Sequence, residues 1–166
     1  MRWYTKIVHD TDADTVGEAL DHFQREYRDA CNETKDLHGK RLIEAETMLP
    51  GIAGYRLEQQ KELESILGYL EIQIDALIGA KRRHYLEHYN RSLGDRMVEK
   101  YAETDPAVIS LRELHSHIAA MHRQFAALSK HHEYLHFQLG NISKLRAAAA
   151  GVPDAVMALD LVNSLL

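Results

Sequence analysis

Residues 111–142 of this chain, LRELHSHIAAMHRQFAALSKHHEYLHFQLGNI, decide its fold class. Apolar side chains recur there in alternating steps of three and four residues, which places them on one face of a long helix. Asp105 can cap the first turn and Pro106 needs no hydrogen-bond partner at the first helical position, so we expect this helix to run from there to about Ala150. The register is held by Leu111, Leu114, Ile118, Met121, Phe125, Leu128, His132, Leu135, Leu139 and Ile142.

The preceding segments repeat the helical periodicity. Thr15 and Glu18 match a capping box at the start of a helix, and Pro50-Gly51 predicts where the apolar stripe of that region stops. A second long helix is expected over about 56–90, with a heptad seam of leucine and isoleucine. A turn follows, and then a short helix that carries Met97, Val98 and Tyr101.

The two ends of the chain are less regular. Residues 1–12 contain Trp3, Tyr4, Ile7 and Val8 but are too short to supply a sheet partner, so we expect a short strand or an extended arm. At the other end, a last amphipathic helix is predicted over 154–166.

These patterns predict an all-α protein with an elongated protomer built from long, heptad-patterned helices. Two such helices are too long to bury their apolar stripes inside one compact unit of 166 residues, so we expect a coiled-coil-like homo-oligomer. An antiparallel hairpin within one chain is the alternative for part of the stripe. The residues expected at the oligomer interface are Leu128, Leu135, Leu139, Ile142 and Leu145.

Composition excludes several classes of protein. Hydrophobic residues make up 45% of the chain, too many for a disordered protein. The single cysteine, Cys31, cannot form an internal disulfide, which favours a reducing, cytoplasmic location. No apolar run reaches the roughly 20 residues of a membrane helix, so no membrane partner is expected. The net charge of −5 leaves room only for a local nucleic-acid-binding surface.

Two histidine motifs could carry metal chemistry. His132-Glu133-Tyr134-Leu135-His136 matches the zinc motif H-E-x-x-H, and residues 84–88 match its inverted form. A third ligand is missing after Glu133, and the heptad register gives His132 a packing position. We therefore expect no metal, no cofactor and no catalytic residue. A metal-binding helical protein or a zinc hydrolase stays open as the least favoured alternative, with candidate ligands His84, His88, His132 and His136.

A basic strip is the other feature that could carry a function. Residues 79–100 contain six basic and three acidic residues, with tyrosines between them. Cations attract phosphates and flat rings stack on bases, so this pattern is typical of a single-strand-binding surface. A charged helix end in solvent would give the same pattern. The residues predicted to contact nucleic acid are Lys81, Arg82, Arg83, Tyr85, Tyr89, Arg91 and Arg96.

Residues 137–151 resemble the C-terminal signature of the UvsY family of phage recombination mediators. That signature is an aromatic residue, aliphatic residues at helical spacing, an arginine and a closing Ala-Gly. Upstream, residues 77–85 with Tyr89 are similar to the family's basic helix, which ends in tyrosines before a polar turn. The resemblance covers about residues 55–151. The C-terminal positions that match are Phe137, Leu139, Ile142, Leu145, Arg146, Ala147, Ala150 and Gly151.

The resemblance implies a ring-like helical oligomer that binds single-stranded DNA without catalysis. It would help to load a RecA-like recombinase onto strands covered by single-strand binding protein, in the cytoplasm of the bacterial host. Lys81, Arg82 and Arg83 would contact phosphates. The chain would then divide into an N-terminal arm and acidic helix (1–50), a UvsY-like core (51–151) and a tail helix (152–166).

A phage structural or adaptor protein is the alternative. The same helices would then assemble a particle and bind no DNA. The acidic N-terminal half favours this interpretation, because residues 1–64 carry nine basic and 14 acidic side chains.

Overall fold

The computed structural model describes residues 2–37, 39–88 and 94–148. Helices cover 93% of these residues, and this part of the chain contains no strand, which confirms the all-α prediction. No helix within it combines the length and the apolar character needed to cross a membrane. The predicted helix over 154–166 lies outside the described residues. The five helices are α1 (Trp3–His9), α2 (Ala13–Leu37), α3 (Leu42–His88), α4 (Asp95–Glu103) and α5 (Pro106–Ala148).

The N-terminal segment is a helix, so the prediction of a strand or an extended arm over 1–12 is wrong. The seven residues of α1 are too few to hold a helix in water by themselves. Contacts with the rest of the chain stabilise it: Ile7 is completely buried, and the Tyr4 amide donates to Glu62 Oε1 (3.1 Å). These partners are distant in sequence, so the local pattern could not reveal them.

The helix α3 runs through Pro50-Gly51, where the sequence predicted an end. Proline removes one helical hydrogen bond and usually kinks or breaks a helix, at about 3 kcal/mol or more. Here the Pro50 ring is exposed, while Leu42, Ala45 and Leu49 before it are buried in one core cluster with Leu37, Leu135 and Leu139. Burial of a leucine side chain contributes about 1.5–3 kcal/mol, so the leucines of this cluster can together outweigh the proline. The helix therefore crosses the expected boundary between residues 50 and 51.

The chain forms two compact units. Unit 1 comprises the described residues of 1–21 and 62–122, and unit 2 those of 22–61 and 123–166. In unit 1, His115 Nε2 lies 3.4 Å from Glu71 Oε1, and Lys81 Nζ lies 2.9 Å from Asp105 Oδ2. Because higher residue numbers on α3 meet lower numbers on α5, the two helices run antiparallel in this unit.

Unit 2 is a three-helix packing of α2, α3 and α5. The α3 and α5 segments are again antiparallel, since Ser129 Oγ donates to Gln60 Oε1 (2.8 Å) and Ser143 Oγ donates to Glu46 Oε1 (2.6 Å). From α2, Phe23 and Tyr27 pack edge-on against the completely buried Phe125, with ring centroids 6.2 and 5.7 Å away.

Arg56 is the largest fully buried side chain among the described residues. Its guanidinium donates to Glu26 Oε2 and Glu33 Oε2, both at 2.7 Å, and to Gln59 Oε1 at 2.8 Å. Burial alone would lower the pKa of Arg56, but the hydrogen bonds to the two carboxylates outweigh burial and raise it. Burial would likewise raise the pKa of Glu26, and hydrogen bonds from Gln59 and Arg56 lower it instead. This ion-pair network ties α2 to α3.

Three residues expected at the oligomer interface lie in the core of the protomer. Leu128, Leu135 and Leu139 are 7%, 5% and 1% exposed. The expectation assumed that one chain could not cover the stripe of α5, but α2 and α3 of the same chain cover this part of it. These leucines therefore cannot contact another subunit while unit 2 is folded. Of the other two, Ile142 packs partly buried against the same cluster, and Leu145 is 70% exposed.

Candidate nucleic-acid interface

The predicted basic strip lies in unit 1, where α4 packs against the end of α3. Val98 and Ala102 are the buried residues of α4, so its opposite face is in solvent. The exposed cations are Arg82 and Arg83 on α3, and Arg96 and Lys100 on α4. Two further predicted residues, Tyr89 and Arg91, lie outside the described residues.

Lys81 has a structural partner. Its Nζ pairs with Asp105 Oδ2 at 2.9 Å, and the Asp105 side chain is only 9% exposed. Asp105 also accepts the amide of Ala107 (3.0 Å) at the first turn of α5, as predicted for the cap, and the hydroxyl of Tyr85 (3.3 Å). The hydrogen bond from Lys81 is the main reason that the pKa of Asp105 lies below its usual value, against the opposing effect of burial.

The ion pair with Asp105 changes the expected role of Lys81 and Tyr85. A phosphate at Lys81 would compete with a buried carboxylate that also caps a helix. The structure thus shows both side chains joining α3 to the start of α5 through Asp105.

Arg82 makes a different kind of ion pair. Its Nη2 lies 2.8 Å from Glu99 Oε1 of α4, and the two side chains are 46% and 51% exposed. Ion pairs this open to water contribute little, about 0–1 kcal/mol. Arg83 and Arg96 are exposed, and neither makes an ion pair within the described ranges.

An aromatic pair lies beside these cations. The rings of Tyr85 and Tyr101 are 5.9 Å apart and tilted by 40°, and Tyr101 is 38% exposed. Tyr101 was not among the predicted contact residues. The sequence shows Tyr101 among basic residues, and this pattern could have indicated a contact residue. Its position beside Tyr85 could not be predicted, because it depends on how α4 packs onto α3.

The local charge is lower than the strip alone suggests. The predicted excess of three positive charges counted Arg91 and stopped at residue 100. Between residues 81 and 105, the described part contains five basic and five acidic side chains, because this count omits Arg91 and adds Glu103 and the buried Asp105. Binding of a polyanion would therefore depend on individual exposed arginines more than on a broad positive field.

The H-E-x-x-H motif does not present its histidines together. His132 is buried (1% exposed), whereas Glu133 and His136 are exposed. The Thr34 hydroxyl donates to the Ala30 carbonyl (2.8 Å), so its oxygen accepts the N–H of His132 Nε2 (2.9 Å). Nε2 is thus used within the core, and Nδ1, which keeps its lone pair, is buried away from solvent.

The inverted motif lies on the surface. The rings of His84 and His88 stack at 4.7 Å on the last turns of α3, in unit 1, while His132 and His136 belong to unit 2. Across the described ranges, no group of three or more histidine, cysteine or acidic side chains is arranged to hold a metal ion.

Comparison with known proteins identifies no relative. No protein-family model, no curated protein and no solved structure matches the chain.

Proposed function

We propose that the protein is a non-catalytic recombination mediator that binds single-stranded DNA. It would help to load a RecA-like recombinase onto strands covered by single-strand binding protein, in the cytoplasm of a bacterial host. The resemblance of residues 55–151 to the UvsY family supports this function. The structural observation that carries it is the group of exposed arginines, Arg82, Arg83 and Arg96, beside the Tyr85–Tyr101 ring pair.

The physical basis is counterion release and stacking. Each phosphate that an arginine neutralises frees condensed cations, so the affinity falls with salt at a slope of about −0.7 per contact on single strands. A base stacked on Tyr101 could add roughly 1–3 kcal/mol without regard to sequence. One protomer with three arginines binds weakly. A ring would repeat the surface and make later contacts intramolecular.

We propose that the homo-oligomer forms through the outer face of α5. Tyr134, Phe137 and Leu145 are 44%, 66% and 70% exposed. Their spacing places them on one face of the helix, away from the buried Leu135 and Leu139. This face could meet a second copy without disturbing the core of unit 2.

The DNA-binding proposal is tested with labelled oligo-dT by fluorescence anisotropy at low and moderate salt. We expect binding at low salt, and we expect the double reversal Arg83→Glu/Arg96→Glu to abolish it. The matched control is Arg25→Glu/Arg28→Glu, which makes the same charge change on exposed residues of α2 in unit 2. Absence of binding at low salt, or equal loss in both variants, would contradict the proposal.

A phage structural or adaptor protein is the second candidate. The observation that favours it is the internal pairing of Lys81 with Asp105 and of Arg82 with Glu99, which uses two of the predicted cations inside the chain. This candidate predicts large assemblies by sedimentation and no affinity for oligo-dT at any salt concentration.

A further inference from the structure

We propose that Glu99 is an internal competitor of DNA, and that it occupies the position of a phosphate on Arg82. This inference rests on the proposed function. The Glu99 carboxylate lies 2.8 Å from Arg82 Nη2, the distance and charge that a phosphate oxygen would adopt on a guanidinium. A phosphate can therefore take the Nη2 position of Arg82 only after Glu99 has moved away.

The ion pair of Arg82 and Glu99 can open because both side chains are exposed to solvent. Both side chains of the pair are about half exposed, so water and salt compensate each partner when they separate. The neighbouring pair of Lys81 and Asp105 is the contrast, because its carboxylate is 9% exposed and caps α5. One ion pair thus holds helices together, and the other can exchange its anion.

Charge on α4 strengthens the competition of Glu99 with DNA. Asp95 and Glu103 lie four residues before and after Glu99, where like charges on a helix repel one another. The pairing with Arg82 relieves this repulsion when no DNA is present. Once a phosphate takes Arg82, the Glu99 carboxylate stays near the strand and weakens its binding.

The test compares Glu99→Gln with Glu103→Gln by anisotropy with oligo-dT. Each replacement removes one negative charge from α4, but Glu103 makes no ion pair within the described residues. We expect Glu99→Gln to bind about two- to fivefold more tightly than Glu103→Gln at low salt, the range that corresponds to an exposed ion pair. Its salt dependence should steepen by about 0.7 per protomer in contact with the strand.

The double variant Arg82→Gln/Glu99→Gln identifies the cause. If Glu99 acts through Arg82, the difference in affinity between Glu99→Gln and Glu103→Gln should disappear when both variants also carry Arg82→Gln. Circular dichroism checks that the variants keep the helical content of the wild type, and Glu99→Ala serves as a second variant with a better helix former. Equal affinities of Glu99→Gln and Glu103→Gln would overturn the inference while the proposed function stands. Absence of binding in wild type and in every variant would overturn both.

Discussion

His132 occupies a core position of α5 with only one of its ring nitrogens paired. Its Nε2–H donates to Thr34, and its Nδ1 is buried with no hydrogen-bond partner in the described residues. Protonation would add a donor at Nδ1 without an acceptor, and a positive charge within the field of Arg56. Burial is the main cause that lowers the pKa of His132, with His131 and Arg56 acting in the same direction and Glu33 against them.

The lowered pKa of His132 predicts a loss of stability in acid. The unfolded chain takes up the proton near pH 6.5, whereas the folded chain takes it up only at lower pH. The free energy of unfolding should therefore fall as the pH drops from about 6.5 to the folded-state pKa, and this contribution should change no further below it. Urea titrations at several pH values should show a weaker dependence in this window for His132→Gln. The exposed His136→Gln is the control, and an equal change in both variants would contradict the prediction.

The sequence could predict the burial of some residues but not their partners. The heptad register placed His132 in the core, yet Thr34 is 98 residues away. Arg56 was not predicted to be buried, because a charged residue on a long helix is usually exposed. Only the arrival of Glu26 and Glu33 from α2 makes its burial favourable. The partner of Lys81 was also missed, because the sequence identified Asp105 as a helix cap but not as the counter-ion of Lys81.

At the scale of the elements, local signals gave some helix ends and missed others. The helix α2 begins at Ala13, so Thr15, predicted as its cap, lies inside the helix. The start of α5 was predicted because the cap at Asp105 and the proline at the first position both lie in adjacent residues. The end at Pro50-Gly51 was wrong because tertiary burial on both sides of the proline keeps α3 continuous. The helix α1 was missed for the same reason, since its stability comes from unit 1.

The glycines of α3 give a prediction at this scale. Gly51 and Gly54 lie inside the helix, and an added Cβ would meet nothing within 4 Å at either position. Alanine is favoured over glycine in helix interiors by about 1 kcal/mol, so Gly51→Ala and Gly54→Ala should each raise the free energy of unfolding in urea titrations. Gly94→Ala is the contrast, because Gly94 is the N-cap of α4, where alanine is a poor cap. A lower free energy of unfolding for the α3 variants would contradict the prediction and show that the helix requires glycine at these positions.

At the scale of the whole molecule, the proposed oligomer interface and the observed core use different residues of α5, so they can be tested separately. Phe137→Glu/Leu145→Glu changes exposed residues and should leave the helical content unchanged. If the outer face of α5 forms the subunit interface, sedimentation at micromolar concentration should then show smaller species than wild type. Wild type that already sediments as a monomer would contradict the oligomer.

Leu139→Asp provides the matched comparison. Leu139 is 1% exposed, so this replacement loses at least the roughly 2–5 kcal/mol of a truncated core leucine and also buries a charge. We expect it to unfold unit 2, seen as a loss of helical circular dichroism. A folded Leu139→Asp protein with a changed oligomeric state would restore the interface that the heptad pattern first suggested.

The continuity of α3 through Pro50 also limits the rate at which the chain refolds. Roughly 10–30% of unfolded chains hold such an X–Pro bond in the cis form, and a helix that continues across residues 49–50 requires trans. Those molecules can fold the rest of their helices but must wait tens to hundreds of seconds at 25 °C to join the two parts of α3. Refolding from denaturant should therefore include a slow phase that a prolyl isomerase accelerates and that Pro50→Ala diminishes.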